Sequence, residues 1–279
     1  MPAWANFLGA PWFWNATALV AVSAVLCALI GVFLIYRRMS LLSDAISHAI
    51  LPGVVLGYLL GGFSAAAFVS GAVAAGLLCV ACIGLLVRYT RLKEDAAMGV
   101  VFSAMFAAGI VMLSLLRGVD LDPGCVVYGE PLAAKPESLE LSLGALLVVL
   151  GLLAVAYRPL LIATFDPVFA KLVGVPERLI HIILLGAVAL ATVAALRAVG
   201  IVLAVAFFIT PGATAALFCR HMGSVLWVAA LIAAGESLVG MVLAVAWNVS
   251  PSGLIATLGL GLFLSILLWQ RVQTGNRLA

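Results

Sequence analysis

Two residues able to hold a metal ion stand four apart in an otherwise apolar stretch: Asp44 and His48, within Met39-Ser-Leu-Leu-Ser-Asp-Ala-Ile-Ser-His-Ala-Ile-Leu-Pro-Gly53. Four residues is about one α-helical turn, so the carboxylate and the imidazole share a face. A carboxylate at membrane depth costs on the order of 2.5–3.5 kcal/mol on insertion scales, so a chain that keeps one beside an imidazole has a use for the pair. One oxygen and one nitrogen donor suit a divalent transition metal. Two donors do not complete a coordination sphere, and waters or a third side chain must add to them. Glu236, the only other acid deep in an expected span, is the candidate, although Ser237 or backbone would satisfy it equally well. Ser40, Ser43 and Ser47 widen the polar arc, which must face protein or water because lipid cannot satisfy it. This helix is therefore expected to line a pathway, with a kink or close packing at Pro52 and Gly53. Two other uses stay open: a hydrogen-bond cluster that holds helices together, and a proton relay.

The elements that position this pair are set by composition. Of the 279 residues, 66% are hydrophobic and 9% charged, against roughly 25% charged in soluble domains. The chain reads as all-α, one transmembrane domain over 1–279, with about eight or nine spans. They are placed near 15–36, 39–60, 64–87, 96–116, 140–157, 178–197, 200–219, 225–247 and 252–270, the 197–200 turn being short enough to make one broken element of its neighbours. Thr210-Pro211-Gly212 is expected to break or kink a helix inside the membrane. Trp4, Trp12 and Trp14 read as an interfacial anchor, and with no basic region before the first apolar stretch the N-terminus does not read as a secretory signal.

Charge fixes orientation. Arg37, Arg38, Arg88, Arg91, Lys93, Arg158, Lys171, Arg178, Arg220, Arg271 and Arg277 fall on one side and only Arg117, Lys135 and Arg197 on the other. By the positive-inside rule the first side, with the C-terminus, is cytoplasmic. The opposite loop, 117–139, holds Asp120, Asp122, Glu130 and Glu137, and is either solvated or a docking surface. The cytoplasmic loop 158–177 is punctuated by Pro159, Pro167 and Pro176, with a short helix expected to end at Gly174. His181 is expected at the interface and His221 in a short turn. Cys27, Cys79, Cys82 and Cys219 read as small apolar residues, and Cys125 falls in the polar loop. No Gly-x-x-x-x-Gly-Lys-Ser/Thr, His-Glu-x-x-His or Gly-x-Ser-x-Gly occurs, and the net charge of +3 does not argue for nucleic acid.

The chain resembles the membrane permease subunits of ATP-binding-cassette importers for manganese, zinc and iron, over nearly its whole length. The most specific part is Met39 to Leu60; the family usually has Gly where this chain has Ser43. Further matches are Lys93 to Gly99, Phe165-Asp166-Pro167 through Gly174-Val175, and Val199-Gly200 through Pro211-Gly212-Ala213-Thr214-Ala215. The resemblance implies a type II importer fold in a bacterial inner membrane and two permease copies forming a pathway. It implies a pair of cytoplasmic ATPases and an extracytoplasmic solute-binding protein. The Asp44 and His48 positions match the family's in-membrane cation ligands. The Leu217 to Val225 turn, with Arg220, His221, Met222 and Gly223, resembles the segment that couples to the ATPase, and the binding protein would dock by the 117–139 loop. No cofactor is expected to stay bound. The transported ion is expected to be manganese, with zinc or iron as the alternatives, and a proton-coupled secondary transporter is the rival reading.

Overall fold

The structure, a computed structural model, describes residues 10–61, 65–115, 132 and 136–275. Trp4, Arg117, Asp120, Asp122, Cys125, Glu130, Lys135, Arg277 and most of the 117–139 loop lie outside the described residues. The elements are α1 (Pro11–Tyr36), α2 (Leu42–Ala49), α3 (Leu51–Gly61), α4 (Ala65–Tyr89), α5 (Glu94–Leu115), α6 (Pro136–Phe165), α7 (Pro167–Leu172), α8 (Glu177–Phe218), α9 (Met222–Trp247) and α10 (Pro251–Gly275). Among the described residues, nine stretches are long and apolar enough to cross a membrane, with α2 and α3 together making one and α8 making two.

Helix α1 is the central post. It packs against α6, α8 and α9, and its Phe13, Leu26, Phe33 and Leu34 are fully enclosed. Small residues set the closest approaches: a Cβ on Gly31 would overlap the carbonyl oxygen of Phe208 in α8. Leu60, Leu78, Val155 and Leu268, on α3, α4, α6 and α10, point outward, as lipid-facing side chains do.

Helix α8 is a hairpin. Forty-two residues in one straight helix would span about 63 Å, twice the hydrocarbon thickness. Near its start, His181 lies 3.5 Å from Arg37 at the end of α1. Near its finish, Gly212 packs on Val32 and Ile35, one turn from that same arginine. The chain therefore reverses between them. Gly200 is the non-helical residue within α8, with φ 79° and ψ 175°, a backbone region that is essentially restricted to glycine.

The turn at Gly200 falls within the short 197–200 break placed between two expected spans, whereas the further break expected at Thr210-Pro211-Gly212 is not found. Helix α8 runs unbroken through Pro211, where the missing N–H removes one bond to Phe207 but buried packing on α1 holds the backbone. Likewise α6 does not stop at Arg158-Pro159 but continues to Phe165. Leu160 and Ala163 are buried beyond the proline, and that contact outweighs the helix-breaking tendency.

The short cytoplasm-assigned helix appears as α7. Asp166 caps it by accepting from the Phe169 N–H at 2.9 Å. Gly174, with φ 80°, closes it: its N–H bonds Lys171 O at 3.2 Å while Val175 N–H bonds Ala170 O at 2.8 Å, the paired bonds of a Schellman ending. Helix α1 ends the same way with Arg38 at φ 59°, Arg38 N–H on Ile35 O and Met39 N–H on Leu34 O. That turn delivers the chain into α2.

Candidate functional site

Helix α2 is eight residues long and is wedged among α4, α5 and α8. Leu42, Ile46, Ala49 and Ile50 are buried, and this apolar face orients the opposite one. Asp44 in the first turn and His48 in the last both suit the helix dipole. The Asp44 Oδ1 and His48 Nε2 atoms are 3.6 Å apart, with 47% and 26% of the side chains exposed. That is too long for a good hydrogen bond. It is close to the separation of two donors on one tetrahedral ion, roughly 3.4 Å for bonds of 2.0–2.2 Å. Both donors can therefore take one cation with little rearrangement, and the partial exposure leaves sites for water.

The rest of the polar arc divides. Ser47 Oγ donates to the Ser43 carbonyl at 2.7 Å and Ser43 Oγ to the Ser40 carbonyl at 3.2 Å. Both of these serines are buried. Their hydroxyls answer their own backbone and do not reach the Asp44–His48 opening. Beyond the pair the helix is interrupted. Pro52 has no N–H for the His48 carbonyl, and the Gly53 N–H bonds Ile50, three residues back, at 2.9 Å. Gly53 lies against Gly71, and Gly57 against Ala67, so closely that a Cβ at either would overlap the α4 backbone, a small-residue crossing of the membrane type.

Sequence reasoning missed the wall of the site. Phe102 and Phe106 of α5 stack on each other with centroids 6.0 Å apart. Both face the His48 ring, at 5.5 Å and 5.2 Å. Their i, i+4 spacing was available, but in an apolar span it looks like any other aromatic pair.

Glu236 is not brought to the pair. Its surroundings are Leu203, Ala206, Phe207 and Thr210 of α8 and Ile255, Ala256 and Gly259 of α10. No group of three or more His, Cys, Asp or Glu gathers among the described residues. The physical reason is the hairpin: the second arm of α8, after Gly200, puts an apolar face toward Glu236. Ser237 does not serve it either, since Ser237 Oγ donates to Ala233 O at 2.7 Å.

At the Arg37 end, Arg37 Nε donates to Thr164 Oγ1 at 3.1 Å and its Nη1 lies beside His181. His181 is thus part of an interhelical contact. The turn between α8 and α9 exposes Arg220 and His221, while Met222 is buried and Gly223 sits near the Tyr157 hydroxyl. At the same end of the bundle, α7 exposes Val168, Phe169 and Leu172, and Val173 after it is exposed too.

An all-helical bundle in which, among the described residues, nine stretches are long and apolar enough to cross a membrane defines a polytopic membrane protein. More narrowly, the chain belongs to the ABC 3 transport family, whose model matches residues 10–270. It is similar to the manganese transport system membrane protein MntC of Halalkalibacterium halodurans, 42% identical over 88% of this chain and 83% of that one. The zinc transport system membrane protein TroD of Treponema pallidum is 41% identical over 90% and 72%. A probable iron transport system membrane protein of Haemophilus influenzae is 32% identical over 93% and 94%. Among solved structures it resembles PsaBC from Streptococcus pneumoniae in complex with Fab, with a TM-score of 0.84 and 31% identity over 94% of each chain.

Proposed function

We propose that this chain is the permease subunit of an ATP-driven importer of a divalent transition metal, manganese first, with zinc and iron as the other candidates. The observation that carries this reading is the Asp44–His48 pair, at ion-sharing distance on a membrane-length helix and partly open. A carboxylate oxygen and an imidazole without thiolate fit Mn²⁺ and Fe²⁺, and Zn²⁺ takes the same donors. With two protein donors the ion keeps part of its water shell, so it is held long enough to be selected and loosely enough to leave. The relatives named for manganese support the choice of metal.

The partners follow from the same reading. A second copy completes the pathway, and the exposed apolar faces of α3, α4 and α5 are available for that copy or lipid. ATPase subunits supply the energy from the side that carries most of the basic residues, which holds the C-terminus in a bacterial inner membrane. Their seat comprises the Arg220–Gly223 turn together with α7, whose exposed Phe169 and Leu172 offer an apolar knob at the same end. An extracytoplasmic binding protein delivers the ion from the opposite side, by the 117–139 loop.

The test is uptake of radioactive manganese into proteoliposomes holding the permease with its ATPase. D44A and H48A are expected to abolish uptake while leaving the assembled complex intact. Wild-type uptake in both would overturn the site, and ATP-independent uptake driven by a proton gradient would favour the secondary-transporter reading instead.

A further inference from the structure

Both ends of α7 return to one residue. At its entry, Thr164 and Phe165 close α6 just before the Asp166 cap. Thr164 Oγ1 accepts from Arg37 Nε at 3.1 Å, and the Phe165 ring tilts against Tyr36 with centroids 5.2 Å apart. At its exit, Lys171 Nζ pairs with Glu177 Oε2 at 3.0 Å where α8 begins. One turn further, His181 Nδ1 lies 3.5 Å from Arg37 Nη1. The planar fork of a guanidinium meets both partners in a fixed geometry, which a point charge on a flexible stem does not.

The same residue borders the helix of the metal pair without slack. Arg37 follows the last residue of α1. Arg38 comes next at φ 59°, a left-handed conformation uncommon for a residue with a side chain. The Arg38 and Met39 N–H groups bond Ile35 O and Leu34 O, at 3.0 and 2.8 Å, and hold the turn. Met39 is buried, its carbonyl accepts from the Leu42 N–H at 3.0 Å, and the Leu41 carbonyl accepts from the Ala45 N–H at 3.0 Å. Asp44 therefore stands at a fixed offset from Arg37. The polar side chains of α2 bond within their own stretch, Ser43 to Ser40 and Ser47 to Ser43, with Asp44 beside His48. Leu42, Ile46, Ala49 and Ile50 seat it by apolar burial, which is non-directional. Among the described residues, Arg37 is the nearest polar tie along the chain from α2 to another helix.

We propose that Arg37 is a positioning residue for transport: through Thr164 and His181 it fixes α2 to α7, so that a displacement of α7 carries Asp44 and His48 with it. The inference rests on the reading of α7 as part of the ATPase seat, and adds the residue through which that seat reaches the ligand pair. Arg37 gives no donor to the ion. Its loss leaves metal affinity in place and separates hydrolysis from transport.

The test measures manganese uptake and ATP hydrolysis together, in proteoliposomes holding the full-length permease with its ATPase. R37Q and T164V are expected to lower the manganese moved per ATP hydrolysed about tenfold, the equivalent of one charge-assisted hydrogen bond, with KM for manganese within about twofold of wild type. The double variant is expected to lose no more than R37Q alone, because both changes remove one contact. R37K, which keeps the charge without the fork, is expected to fall between R37Q and wild type. An unchanged ratio in R37Q and T164V overturns the proposal. So does a loss of uptake and hydrolysis in equal proportion, which marks a purely structural role. If R37Q does not assemble, T164V, close to isosteric and lacking only the hydroxyl, decides by itself. Wild-type protein without ATP-driven uptake would overturn the importer reading and this inference with it, whereas normal wild-type transport with unaffected variants removes the role of Arg37 alone.

Discussion

The ring of Phe106 meets the imidazole of His48 edge-on, with centroids 5.2 Å apart and planes at 78°. The histidine is therefore set from two directions, by its own turn of α2 and by a different helix. Its Nε2 is held on the Asp44 side while one flank of the ring is covered by aromatic carbon. Such a ring contact is worth about 0.5–1.5 kcal/mol beyond area burial, enough to select one orientation.

Replacing Phe102 and Phe106 by leucine keeps the apolar volume and removes the ring contacts. The expected result is a KM for manganese raised about two- to tenfold, the kinetic equivalent of that energy, with little change in Tm. Kinetics in proteoliposomes would check it, and an unchanged KM would show that the wall plays no part in positioning His48.

Gly31→Ala would drive a methyl group into the Phe208 carbonyl. Backbone cannot yield as a side chain does, so a loss of about 1–3 kcal/mol is expected. Gly151→Ala, where nothing lies within 4 Å, serves as the control and should be neutral or slightly stabilising. Paired thermal melts would read the difference.

At Gly200 the expected cost of alanine is about 1–3 kcal/mol, because φ 79° with ψ 175° excludes a side chain. Pro211→Ala is expected to be tolerated, since it restores an N–H to a helix that is already continuous. Tm values that ranked these two in the reverse order would place the critical turn of α8 elsewhere.

Leu172→Glu changes one of the most exposed apolar side chains of α7, at 81%, so the permease itself should fold normally. Co-purification with the ATPase is expected to fall at least tenfold. Retention of the ATPase there, with loss in the double variant R220A/H221A, would assign the seat to the turn alone.

The spans were readable because each needs little more than length and apolarity, and the Asp44–His48 pair stood out because membrane depth makes such residues costly. Position along the chain was less readable where packing overrode a local rule. Pro159 and Pro211 look like helix breakers, yet buried neighbours on α1 and the bundle hold both inside helices, while the reversal of α8 falls at Gly200, where span length had already required a turn. The assignment of Glu236 to the pair failed for a different reason. Shared depth in a membrane says nothing about azimuth, and the α8 hairpin turns that acid toward α10. Phe102 and Phe106 were hidden for the same reason: only the contact of α2 with α5 gives them a role.

The polar cross-links of the bundle are unevenly placed. At the Arg37 end, a guanidinium ties α1 to Thr164 of α6 and His181 of α8, and Gln270 of α10 reaches the Leu217 carbonyl at 2.6 Å. Toward the other end, Ser252 Oγ donates to the Val199 carbonyl, and midway along α1 Ser23 Oγ donates to Ser142 Oγ, each at 3.3 Å. Among the described residues, the Arg37 end is where one charged group joins three helices at once. A load applied near α7, at that end, is therefore passed to α1, α6 and α8 together and moves them as one lever.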